Sequence, residues 1–310
     1  MRLLVVGAGA TGGYFGARLV RAGRDVTFLV RPGRAAVLRE RGLRIKGSGE
    51  DDRITPRLVT AGELRDSYDV ILLSVKATAL ARAMDDIAPA VGASTSVLPV
   101  LNGIGHLDQL SARFGEESVL GGVALLATSV DAQGDIAVLA PGATLTIGEL
   151  SGGGELRADR ALELLSGAGF EVTAVNNILA EMWGKWVFIA TAGAITCLMR
   201  GTVGDIVSVP GGTDFARAVL AETGAVAAAA GFPLAEKQHA VIQNTVTQPG
   251  SPFAPSFYRD VAVGRSTEVE HVFGDLIRRA AALSVDTPLM DLATMHLRVH
   301  QHRLAAGNSP

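Results

Sequence analysis

Through the first half of the chain, apolar runs of strand length alternate with segments of helical period. Residues 3–6 are wholly apolar and lead into Gly7-Ala-Gly9-Ala-Thr-Gly12, after which a helical pattern runs through Arg21. This is strand, loop, helix. Residues 25–30, 70–75 and 96–101 read as further buried strands, with a helix over 78–87 between the last two. That alternation predicts a parallel, doubly wound sheet. Between Val119 and Ile147 the texture becomes β-rich, with segments 125–130, 135–139 and 144–147 separated by Gln133-Gly134 and Pro141-Gly142. These are expected to be antiparallel additions. A glycine run at 152–154 precedes a helix over 156–166 and a last strand over 170–175.

After residue 175 the strand signal stops, and helices are expected over 178–199, 212–230, 234–247, 255–263, 268–283 and 288–304. Thr287-Pro288 is a good helix start, with threonine as cap and proline in the first turn. The predicted fold is therefore an α/β N-terminal, Rossmann-like doubly wound domain over 1–174 and an all-α domain over 175–310. A length of 310 residues suits two cores, at about 150 residues per domain.

Composition narrows the function classes. Hydrophobic residues make up 48% and charged residues 19%, as in compact globular proteins. The 28 basic and 31 acidic residues leave a net charge of −3 without a basic run, so no nucleic acid partner is expected. The longest uncharged apolar stretch, 186–199, falls short of the roughly 20 residues of a membrane span, so no membrane partner is expected either. The N-terminus reads as a buried first strand rather than a signal peptide. Cys197 is the single cysteine, which implies a reducing, cytoplasmic setting and offers no metal-ligand spacing.

The glycine loop carries the strongest chemical signal. Gly7 permits a tight turn, Gly9 lets backbone approach a pyrophosphate, and Gly12 lets helix pack on strand, while the helix N-terminus offers unpaired N–H groups to the anion. At the end of the second strand, where an NAD site would place Asp or Glu, stands Arg31, with Arg34 nearby. A guanidinium suits a 2′-phosphate, which points to NADP(H). Lys76 and Asn102 follow later strands, at the edge where open α/β sheets bind ligands. Each is equally readable as a helix-start lysine or a turn asparagine.

In the helical half, Lys185 sits within Glu181-Met-Trp-Gly-Lys-Trp-Val-Phe-Ile. Surroundings this apolar depress an amine's pKa or demand a partner, and either suits a group that gives up a proton near neutral pH. A salt bridge from Glu181 to Lys185 on one wet stripe is the equal alternative. Glu268 opens an amphipathic helix, where the helix dipole favours a carboxylate. Asp260 and Arg265 could form a local ion pair.

Taken together, Gly7-x-Gly9-x-x-Gly12, Arg31, Val75-Lys76-Ala77, Leu101-Asn102-Gly103, Trp183-x-Lys185 and Ser256-x-x-x-Asp260 with Arg265-x-Thr267-Glu268 resemble the ketopantoate reductase (2-dehydropantoate 2-reductase) family over nearly the whole chain. The resemblance implies an NADP-binding Rossmann domain, a helical second domain and an active site in the cleft between them. It implies Lys185 as general acid and Glu268 as the residue orienting substrate and lysine. Asn102 and Ser256 would hold substrate, with Asp260 supporting that wall. Gly7, Gly9, Ala10, Thr11, Gly12 and Arg31 would hold the cofactor, with Lys76, Asn102 and Glu268 also reaching it. Family members that reduce ketopantoate carry asparagines where this chain has Ile189 and Gly193.

The expected reaction is thus NADPH-dependent reduction of a 2-oxo acid. The default is 2-dehydropantoate to pantoate in pantothenate biosynthesis, and another 2-oxo acid or ketone, bulkier or less polar, is the alternative. A 3-hydroxyacid dehydrogenase type would need glycine- and asparagine-rich motifs around the lysine, which are not evident. A non-catalytic NADP(H)-binding sensor would have no need of a buried amine. A homodimer built on the apolar helices is compatible with the sequence, which does not require one.

Overall fold

The computed structural model describes residues 1–151 and 156–307, so the Gly152–Gly154 run lies outside the described residues. The chain divides into two compact units, Met1–Glu181 and Met182–Pro310.

The first unit contains β1 (Arg2–Val6), α1 (Ala10–Arg21), β2 (Asp25–Leu29), α2 (Pro32–Arg41), β3 (Leu43–Gly47), β4 (Glu50–Ile54), β5 (Arg57–Val59), β6 (Val70–Leu73), α3 (Leu80–Ile87), β7 (Ser96–Pro99), α4 (Gly105–Phe114), β8 (Leu120–Val130), β9 (Ile136–Glu149), α5 (Leu156–Leu165) and β10 (Glu171–Ala174). Five strands form an all-parallel sheet in the order β5-β2-β1-β6-β7. Its central strands are continuous apolar runs because both faces are covered. The chain leaves β1 towards β2 on one side and later towards β6 on the other, so β1 and β6 flank the point where strand order reverses.

The β-rich segments do not extend this sheet. They build a second one, in the order β10-β9-β3-β4, with β8 antiparallel to β9. The expected antiparallel pairing is present, and β10 and β3 join β9 in parallel. Residues from both sheets and α1 share one hydrophobic core. The glycines of α1 explain how: a Cβ on Gly13 would meet Ile136 of β9, and one on Gly16 would meet the Phe28 ring of β2. Both neighbours approach the helix backbone more closely than a side chain would allow.

Helix α6 (Ile178–Met199) crosses the division between the units. After it come α7 (Val203–Val207), α8 (Gly212–Ala229), α9 (Glu236–Val246), α10 (Ser256–Ala262), a π-helical turn over Glu270–Gly274 continuing into α11 (Asp275–Ala282), and α12 (Pro288–Ala305). By length and composition α6 could cross a bilayer, at mean hydropathy 1.3, but 72% of that window is buried by the chain itself. Cys197, on its last turns, is buried, and its thiol pKa is pushed up to about 12 by that burial, which keeps it unreactive. Thr287 precedes α12 as expected but makes no side-chain capping bond. The Glu222 carboxylate on α8 accepts from the N–H groups of Leu289 (3.0 Å) and Met290 (3.0 Å) instead. A full negative charge at a helix N-terminus is a stronger cap than a hydroxyl.

Candidate functional site

The first unit gathers its candidate residues at one edge. The parallel register pairs Val6 with both Leu29 and Leu73, and Leu73 with Pro99, so these strands end level with one another. Gly7, Arg31, Lys76 and Asn102 follow those four ends within three residues. This is the edge at which open α/β sheets bind ligands.

Gly7 has φ +95°, a backbone conformation that excludes ordinary side chains. Its turn is fixed by Ser74, whose hydroxyl donates to the carbonyls of Val6 (2.9 Å) and Gly7 (3.1 Å). A Cβ on Gly12 would collide with that same Ser74 hydroxyl and with the Gly7 carbonyl. At Gly9, by contrast, a Cβ would meet nothing within 4 Å. Gly9 caps α1 without a side-chain hydrogen bond, and the first-turn amides at Ala10, Thr11 and Gly12 have no carbonyl one turn back in the helix. Open space facing a row of unsatisfied amides fits a dinucleotide pyrophosphate.

Arg31 is exposed at the N-cap of α2 and makes no ion pair among the described residues. Arg34 is engaged otherwise. Its guanidinium donates to the carbonyls of Ala8 (3.1 Å) and Gly134 (2.8 Å), tying α2 to the glycine loop and to the turn between β8 and β9. Burial lowers its pKa from the ordinary value. This bracing function was not evident in the sequence, because Gly134 lies 100 positions away. Lys76 is exposed at the start of a short 3₁₀ turn, and Asn102 is half-buried before Gly103, whose φ of +73° requires glycine.

In the second unit Lys185 lies on α6 between the buried Trp183 and Trp186. The indole N–H of Trp186 donates to the Val272 carbonyl (2.8 Å) in the π-helical turn, and Trp183 stacks on Phe232. Gly184 lets the Gln238 side chain of α9 sit directly on the helix backbone, where a Cβ would collide with it. The Lys185 side chain as a whole keeps some access, but its ammonium is desolvated, and burial lowers its pKa to about 8. The charge that opposes this fall is Glu268. Glu181, one turn earlier, is exposed.

Glu268 stands just before the helix rather than inside its first turn, and its carbonyl accepts from the N–H groups of His271 (3.0 Å) and Val272 (3.0 Å). The nearby Glu270 has a different role, being locked to Arg298 by two 2.7 Å bonds. Ser256 is exposed at the start of α10 and Asp260 half-buried at its end. The Asp260 carbonyl accepts from the Arg265 amide at 2.8 Å, which closes the turn after α10. Gly193 is covered by Phe273 and Phe257, so closely that a Cβ would lie 2.9 Å from the Phe273 ring. No larger residue fits there without displacing that ring.

Family models for ketopantoate reductase PanE/ApbA match residues 3–152, and for its C-terminal part residues 177–301. The chain is 33% identical over 301 residues to an uncharacterized oxidoreductase, YkpB, of Bacillus subtilis, covering 97% of this chain and 99% of that one. It is 28% identical to the 2-dehydropantoate 2-reductase of Mesorhizobium japonicum, covering 94% of this chain and 95% of the relative. Among solved structures, a 2-dehydropantoate 2-reductase from Geobacter metallireducens superposes with TM-score 0.87 at 26% identity, covering 96% and 99% of the two chains. D-mandelate dehydrogenase with NADH and anilino(oxo)acetate shares the fold at TM-score 0.89 and 23% identity, covering 98% and 100%. The chain belongs to the ketopantoate reductase PanE/ApbA family, as an oxidoreductase acting on a CH–OH group with NAD(P)H.

Proposed function

We propose that this chain catalyses NADPH-dependent reduction of a 2-oxo acid to the 2-hydroxy acid, with Lys185 as proton donor. The observation that carries this is the desolvated ammonium of Lys185, with a pKa of about 8 and Glu268 as its opposing charge. Such an amine is mostly protonated at neutral pH yet gives up its proton readily.

When bound, NADPH supplies the hydride that adds to the carbonyl carbon. Lys185 delivers a proton to the carbonyl oxygen as negative charge develops there, and is reprotonated from solvent afterwards. Glu268 keeps the ammonium charged and orients it and the substrate. Asn102 and Ser256 hold the substrate by hydrogen bonds, with Asp260 supporting that wall. The backbone of Gly7, Gly9, Ala10, Thr11 and Gly12 receives the pyrophosphate, and Arg31 pairs with the 2′-phosphate, which gives preference for NADPH over NADH. Lys76, Asn102 and Glu268 are assigned to the cofactor as well. In this assignment residues 1–174 bind the dinucleotide and residues 175–310 carry the proton donor.

Within the 2-oxo acids, 2-dehydropantoate is the substrate for which the family is named, and its use would place the enzyme in pantothenate biosynthesis in the cytoplasm, as a monomer or homodimer. Another 2-oxo acid or a ketone is the alternative. NADPH oxidation followed with a panel of 2-oxo acids and ketones, by wild type and Lys185→Ala, tests the proposal. Turnover lost in the variant is expected. Turnover kept in the variant would remove the proton donor, and NADPH binding without turnover across the panel would favour an NADP(H) sensor.

A further inference from the structure

From Met182 to Cys197 every residue of α6 is buried except three: Lys185, Phe188 and Ile189. Phe188 and Ile189 lie three and four positions after the lysine, so they occupy the next turn on its side of the helix. The partly exposed stripe of α6 that begins at Lys185 therefore continues onto apolar side chains. Phe188 stacks on Phe253, ring centroids 5.7 Å apart at 24°, and Phe253 is itself only partly buried. Phe253 is held in place from behind. Its carbonyl accepts from the Val203 amide (3.1 Å), its amide donates to the Ser251 hydroxyl (3.3 Å), and Gly204 donates to the Ser251 carbonyl (2.8 Å). Pro249, Pro252 and Pro255 stiffen the same segment. One turn further along α6, the Phe257 and Phe273 rings close over Gly193, edge to face at 5.1 Å.

None of the side chains of Phe188, Ile189 and Phe253 can donate or accept a hydrogen bond. A substrate whose carbonyl oxygen meets Lys185 would set its substituent against this surface, and a hydroxyl there would lose its water without finding a partner. Resting on the assignment of Lys185 as proton donor, we infer that Phe188, Ile189 and Phe253 determine specificity and select 2-oxo acids whose substituent is branched alkyl or aromatic over those that carry a hydroxyl. On this account the family's name-giving substrate is not the preferred one here.

Two substrates that differ by a single hydroxyl give the cleanest test: 3,3-dimethyl-2-oxobutanoate and its 4-hydroxy derivative, 2-dehydropantoate. The readout is the ratio of their kcat/KM values with NADPH. An apolar wall discriminates against an added hydroxyl by about 10- to 100-fold, so wild type is expected to favour the deoxy acid by at least about tenfold. Ile189→Asn and, independently, Phe253→Asn are expected to pull that ratio towards one, with folding checked by thermal unfolding. Because either variant suffices, failure of one to fold leaves the other as the test. A wild-type ratio near one or favouring the hydroxylated acid, or a ratio that neither folded variant moves, would overturn the specificity surface while leaving the proton donor in place. Equal turnover of both acids by Lys185→Ala and wild type would remove the proton donor, and with it the reason for setting the substituent on this wall.

Discussion

The Lys185 ammonium lies where burial lowers its pKa to about 8, and the Glu268 carboxylate is the charge that resists this fall. Neutralising Glu268 leaves desolvation to act alone. In Glu268→Gln the alkaline limb of the pH–rate profile for ketone reduction should therefore move to lower pH than in wild type. A limb that stays in place or moves upwards would show that the two groups are not coupled.

The same desolvation costs stability at neutral pH. Below about pH 8 the lysine is charged in both folded and unfolded chains. Between about 8 and its ordinary value of 10.5 the folded chain binds fewer protons than the unfolded one, so stability rises with pH in that window. Lys185→Met should accordingly raise Tm at pH 7, by a few degrees, and the gain should shrink towards pH 10. Thermal unfolding at the two pH values measures both.

Gly9 and Gly12 separate ligand binding from folding. A Cβ on Gly12 collides with Ser74 and the Gly7 carbonyl, whereas one on Gly9 meets open space. Gly12→Ala should lower Tm and weaken cofactor binding together. Gly9→Ala should leave Tm within a degree or so and still weaken NADPH binding by about tenfold or more, as read by fluorescence titration. Unchanged NADPH binding in Gly9→Ala would remove the pyrophosphate from this loop.

The two arginines after β2 should also behave differently. Arg31 is exposed and unpaired among the described residues, so Arg31→Ala should raise KM for NADPH by about tenfold, a loss of about 1.4 kcal/mol, while changing KM for NADH and Tm little. Arg34 braces the Ala8 and Gly134 carbonyls. Arg34→Ala should weaken both cofactors alike and lower Tm, because it loosens the loop that receives the part they share.

The pattern of this sequence carried the parallel sheet and the glycine loop, since continuous apolar strands and a glycine at positive φ are local signatures. The β3–β4 hairpin was missed because its inward residues, Leu43, Ile45 and Ile54, sit among charges. Those charges turn out to have ion-pair partners, Arg44 with Asp51 across the hairpin and Lys46 with Asp131 of the β8–β9 turn. Charge-rich strands of this kind read as loop until their partners are known. At the site, Lys185 stood out by its surroundings alone, but neighbours in sequence could not decide between Glu181 and Glu268, because the deciding carboxylate arrives from a distant helix start. The capping of α12 by Glu222 and the bracing role of Arg34 were hidden for the same reason. Phe253 offered no signal at all, as its position against Phe188 depends on how the segment before α10 is pinned to α7.

The proton donor is tested most directly by single-turnover NADPH oxidation at saturating cofactor, followed from pH 6 to 10 in wild type and Lys185→Ala with the best 2-oxo acid of the panel. In wild type the rate should hold up to about pH 8, the pKa of Lys185, and then fall tenfold per pH unit. Lys185→Ala should be slower by about 10²- to 10⁴-fold and lack that limb, with NADPH affinity retained. A variant that keeps the wild-type rate, or a wild type whose rate is flat through pH 8 to 10, would contradict the assignment.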